Sequence, residues 1–130
     1  MPFGDASFAN VVSVMIHTDV ADYAAILKEA WRVLVPGGRF THVGVHPCFC
    51  GGFADRADAD AIVIRAGYLD SHWTKQSWTD NGLRDKVGAV HLPLPVLLRS
   101  LVDAGFVLDS FREGGEPIPT VLAVGALKPE

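Results

Sequence analysis

Three points in this sequence set an ionisable side chain where a buried stretch gives way to a polar one: His17-Thr18, His46-Pro47 and Arg112-Glu113. An imidazole in such a place can accept a proton near neutral pH, so His17 and His46 are the candidate bases. Asp19 and Glu113 are alternatives, each equally readable as a solvated loop residue. His42, His46, Cys48 and Cys50 form a denser group that invites a zinc reading. The spacing argues against it. Structural zinc sites favour two to four residues between cysteines, Cys48 and Cys50 leave one, and His42 sits within an apolar strand, so no metal is expected. Trp73 and Trp78 supply aromatic surface for an apolar substrate pocket. No G-x-S-x-G nucleophile elbow, Walker-type loop or G-x-G-x-x-G turn occurs. Gly51-Gly52 follows a strand, but its spacing is wrong for cradling a phosphate.

These residues need elements to position them. Residues 10–16 are short, β-branched and apolar apart from Ser13, the pattern of an interior parallel strand. Tyr23, Ile26, Leu27, Ala30, Trp31 and Leu34 then fall on one helical stripe, which predicts a helix over residues 20–34 with Asp19 capping its start. Val35-Pro36-Gly37-Gly38 stops it, and residues 39–45 form a second strand, completing a βαβ crossover and hence a parallel pair. Pro95, then Leu97, Leu98, Leu101 and Val102, predict a second helix ended by Ala104-Gly105. Residues 106–111 and 120–127 read as strands whose link is too short for a parallel crossover, so the last strand runs antiparallel. Between the second strand and the second helix, residues 46–92 carry five large aromatics with weak periodicity, as lids and binding loops do.

The 130 residues, 49% hydrophobic and 20% charged, suit one folded domain rather than a disordered chain. A net charge of -4 argues against a nucleic-acid surface. No apolar run reaches the roughly 20 residues that span a bilayer, and no export signal opens the chain. The two cysteines, at i and i+2, are poorly placed for a disulfide, which suits a cytoplasmic protein.

Pro2-Phe3-x-Asp5-x-Ser7-Phe8 running into a buried strand, a helix ending Trp31-Arg32-Val33-Leu34-x-Pro36-Gly37-Gly38-Arg39-Phe40, and the later His91-x-Pro93-Leu94 with Ala104-Gly105-Phe106 resemble the second half of class I S-adenosylmethionine-dependent methyltransferases. Ala9 departs from the aspartate usual after the Ser-Phe pair. The resemblance implies a partial Rossmann-like α/β fold supplying strands four to seven of the family sheet, one domain over residues 1–130, with 46–92 covering the substrate. The glycine-rich turn and the ribose-binding acid of the family have no counterpart. It also implies S-adenosylmethionine as cofactor, with Met15, Ile16 and His17 facing its methionine portion. Plain packing explains Met15 and Ile16 equally well. His17 and His46 would be the catalytic imidazoles, and Trp73, Trp78 and Glu113 the substrate contacts, for a small or lipophilic methyl acceptor. A catalytically silent interaction module and a small metal-binding domain are the alternatives. An apolar strand at residues 10–16 with a missing neighbour predicts a homodimer or larger assembly through that edge.

Overall fold

The computed structural model describes residues 1–74 and 88–130. The apolar run forms β1 (Phe8–Val14). It ends just before Met15, whose backbone turns to φ 56°, a left-handed conformation that ends the regular extended run here. Helix α1 (Tyr23–Val33) starts three residues later than expected. The reason is local: the Asp19 N–H donates to the Ile16 carbonyl, closing a turn, and Asp22 caps the helix by accepting from the Ala25 N–H at 3.0 Å. Tyr23, Leu27, Ala30 and Val33 are its buried face, while Ile26 of the expected stripe is exposed.

Strand β2 (Leu34–Val45) runs through the Pro-Gly-Gly segment rather than starting after it. Gly37 supplies φ 78°, and the register against β1 jumps from Phe8↔Leu34 to Asn10↔Arg39, so the motif makes a bulge inside a paired strand. The Lys128 ammonium donates to the Trp31 and Leu34 carbonyls at 2.8 Å each and lies 3.8 Å from the Trp31 ring, closing the carboxyl end of α1.

The segment from 46 to 92 is less irregular than its sequence suggests. Its described residues hold two short antiparallel ladders, β3 (Ala54–Asp55) with β4 (Val63–Ile64) and β5 (His72–Thr74) with β6 (Ala89–His91). Helix α2 (Leu94–Asp103) follows, with Pro95 in its first turn, then β7 (Val107–Gly114) and β8 (Val121–Leu127). The main sheet has the order β1-β2-β8-β7, with β1 and β2 parallel and β8 antiparallel to both β2 and β7. The antiparallel last strand is as expected.

Helices α1 and α2 pack on one face of this sheet, where Tyr23, Leu27, Phe40, Leu97, Leu101, Phe106 and Val124 form the core. Alternation along β1 turns Ser13 to that face and leaves Val12 and Val14 outward, 60% and 54% exposed.

Candidate functional site

Ligands of parallel α/β sheets gather at the carboxyl ends of the strands, here the ends of β1 and β2. Beyond β1, Met15 is half-exposed, Ile16 packs against the core, and His17 turns inward to 1% exposure. His17 lies over Gly44 of β2, its ring centroid 5.0 Å from His42 and 6.0 Å from Tyr23. Gly44 makes that seat: a Cβ there would come within 2.6 Å of His17 Nδ1 and 2.9 Å of His42 Nε2. Below it runs a buried polar chain, with the Tyr23 hydroxyl 2.9 Å from Ser13 Oγ and 2.8 Å from His42 Nδ1. Sequence reasoning took Tyr23 for core stripe and Ser13 for an exception in an apolar run. That lone serine was the signal of a buried partner.

Burial pushes the Tyr23 phenol up to about 12 and the His42 imidazole down to about 4, so both stay neutral near pH 7. Unfolding returns His42 to its ordinary 6.5, so between pH 6.5 and 4 the unfolded chain binds the extra proton. Stability is therefore expected to be full above pH 6.5 and to fall as the pH drops through about 4. Burial lowers His91 as well, adding to the same slope. Urea midpoints at pH 7 and 5 test this: His42→Asn should lose less stability on acidification than the wild type, and an equal loss would remove His42 from the account.

At the end of β2, His46 is 6% exposed and its Nε2 lies 2.5 Å from Glu113 Oε2 on β7. The Cys48 N–H donates to His46 Nδ1 at 3.2 Å. Glu113, His46, Arg112, Leu94, Leu98, Phe111 and Leu122 line a cavity of about 280 Å³. The structure thus brings His46 and Glu113 together and sets His17 apart, beside His42.

Trp73 is 58% exposed on β5, and its ring covers Gly88, where a Cβ would meet it at 2.3 Å. Trp78 lies outside the described residues. Asp19 is exposed on the turn after His17. The remaining members of the histidine-cysteine group point different ways: His42 into the Tyr23 chain and Cys50 toward His91 Nδ1 at 3.6 Å. Both cysteines are free, and burial pushes the Cys50 thiol up to about 12. Among the described residues no group of three or more His, Cys, Asp and Glu is placed to hold a metal.

His91, noticed in the sequence only as part of a motif, is the centre of the 46–92 segment. It is fully buried, with Nε2 2.7 Å from the Tyr68 carbonyl oxygen and rings of Phe53, Tyr68 and His72 around it. The segment reaches the carboxyl end of β1 through the Val90 N–H, which donates to the Thr18 carbonyl at 2.9 Å.

Residues 1–41 match the family model described as a methyltransferase domain. The chain superposes on an S-adenosylmethionine-dependent methyltransferase from Mesorhizobium loti with a TM-score of 0.80 at 22% identity, over 98% of this chain and 64% of that one. The fold is that of the class I methyltransferases. A second such structure, the 1,6-didemethyltoxoflavin-N1-methyltransferase of Burkholderia thailandensis with 1,6-didemethyltoxoflavin and S-adenosylhomocysteine bound, matches at TM-score 0.60 and 18% identity, over 98% of this chain and 47% of that one. The demethylmenaquinone methyltransferase of Deinococcus radiodurans is 42% identical over 53 residues, 41% of this chain and 22% of that protein. The chain therefore spans under two thirds of the length of these methyltransferases. Trp31 to Phe40, part of the resemblance quoted from the sequence, lies inside the matched residues 1–41. No helix among the described residues is long and apolar enough to cross a membrane.

Proposed function

We propose that this chain forms the acceptor-side portion of an S-adenosylmethionine-dependent methyltransferase, corresponding to strands four to seven of the family sheet. The sheet order β1-β2-β8-β7, with its antiparallel β8, carries this reading together with the 98% coverage of the Mesorhizobium loti fold. Met15 supports the placement of the methionine portion. A non-glycine residue held at φ 56° costs conformational energy, and such strain collects at binding sites. Met15 and Ile16 offer apolar contact, and His17 sits beneath them.

The donor fits these residues only in part. The sequence contains no glycine-rich G-x-G-x-x-G turn for close backbone approach, and by resemblance the family's ribose-binding acid has no counterpart in it, so the chain is read as holding one end of the group. When bound, it supplies an activated methyl sulfonium. What remains for the protein is alignment, with a base only for weakly acidic acceptors. His17 and His46 are the imidazoles proposed for that role, His46 acting through its Glu113 partner at the cavity and His17 from an enclosed position at 1% exposure. The acceptor is small or lipophilic, as the names of the Deinococcus and Burkholderia relatives suggest, and Trp73, Trp78 and Glu113 are its proposed contacts. The free cysteines suit a cytoplasmic setting, and β1 edges pair between copies.

Titration of the 130-residue chain with S-adenosylmethionine tests the reading. The expected result is weak binding, near millimolar or beyond, with NMR shift changes at Met15, Ile16 and His17. Low-micromolar affinity would overturn the partial site. Shift changes that avoid residues 15–17 would remove the assignment.

A further inference from the structure

We propose that the groove between α2 and β7 binds a small amphiphilic amine, its ammonium paired with Glu113 and its apolar body against Leu94, Leu98, Phe111 and Leu122. The site shares Glu113 and His46 with the methyl-transfer reading and names an amine as the class of molecule held there, but its binding test does not depend on methyl transfer.

Strand register decides which side chains face the groove. Phe111 pairs with Val124 and Glu113 with Leu122, and both partners belong to the core on the helix-bearing face. Phe111 and Glu113 therefore turn toward α2, while Arg112 between them starts from the opposite face and still contributes to the cavity lining. The result is a cavity of about 280 Å³ with aliphatic walls from α2 and β8, an aromatic wall from β7 and a carboxylate at one end. Phe111 is 57% exposed, a large ring kept on the surface with no ring stacked on it among the described residues.

The carboxylate is held in place. The Cys48 N–H occupies the lone pair of His46 Nδ1, so the ring proton belongs on Nε2 and is donated to Glu113 Oε2 at 2.5 Å. His46 is itself buried and cannot swing away. Glu113, 59% exposed, keeps Oε1 for a ligand. A carboxylate whose rotamer is already restricted loses little entropy on binding, and a cation is the partner that best offsets its desolvation. An alcohol of the same shape gains only a neutral hydrogen bond, and an acid meets like charge.

The probes are 2-phenylethylamine, 2-phenylethanol and 3-phenylpropionate, titrated at pH 7 into the 130-residue chain and followed by NMR. The amine is expected to shift Leu98, Phe111 and Leu122 resonances and to bind about tenfold more tightly than the alcohol, with no binding by the acid. Glu113→Gln, at an exposed position that leaves the core intact, should bring amine and alcohol to equal affinity. Glu116→Gln, at an exposed carboxylate outside the cavity lining, should leave the preference unchanged. Equal affinity of amine and alcohol in the wild type, an amine preference that survives Glu113→Gln, or an absence of shifts at the groove residues would each overturn the proposal.

Discussion

Val12→Lys is expected to turn an assembled protein into a monomer. Among the described residues β1 makes a ladder only with β2, so its other edge presents backbone donors and acceptors. The outward side chains of that strand, Val12 and Val14, are more than half exposed, and Met15 beyond them is 37% exposed. Val11 and Ile16, expected from the sequence to share in the interface, already pack against the core. Phe3 lies edge-on against Phe8 at 5.0 Å and shields only the start of the strand. Pairing with a second copy would satisfy the edge and cover Val12 and Val14, each worth about 1.5–3 kcal/mol if fully buried. A lysine at position 12 would place a charge in that seam, the means by which natural edge strands avoid pairing. Sedimentation velocity decides the matter: the wild type should run as a dimer or larger and the variant as a monomer. A wild type that remains monomeric at high concentration would show that the edge does not self-associate.

Gly44→Ala should destabilise the protein by about 1–3 kcal/mol and displace His17, because the added carbon has nowhere to go. It would sit 2.6 Å from His17 Nδ1, 2.7 Å from His17 Cε1 and 2.9 Å from His42 Nε2, and both rings are fully enclosed. Neither ring can yield without disturbing the Ser13–Tyr23–His42 chain or exposing His17. Gly114→Ala is the control, since its nearest neighbour would be Val121 Cβ at 3.8 Å, an ordinary contact. Urea unfolding should separate the two variants by more than 1 kcal/mol, with the control within about 0.5 kcal/mol of wild type. The His17 ring resonances should move only in Gly44→Ala. Equal stability of the two variants would mean that the His17 seat is looser than its geometry.

Much of the architecture was legible because its causes are local. An apolar β-branched run, a 3.6-residue stripe and a Pro-Gly-Gly stop need only a few neighbouring residues to act, and they locate β1, α1 and the turn into β2. The short link between β7 and β8 likewise forces the antiparallel pairing. Boundaries were less legible where two local signals competed. Asp19 and Asp22 are both good caps, and the turn closed by the Asp19 N–H and the Ile16 carbonyl hands the helix to Asp22. The Pro-Gly-Gly segment carries a strong stop signal, yet it remains within β2 because β1 pairs on both sides of the bulge. The ladders of residues 46–92 are two or three residues long, too short for any period to register.

The sequence by itself determined that the chain would form a mixed α/β sheet with histidines near its strand ends, since hydrophobic period and turn chemistry act along the chain. Only the tertiary structure decided what those histidines meet. His17 lies on the turn after β1 and Gly44 on β2, and His46 reaches Glu113 across 67 positions of sequence. Such encounters depend on register and on which face each side chain takes. A single-residue shift in pairing would turn Glu113 away from the groove and His42 away from Tyr23, because side chains in a strand alternate with a period of two.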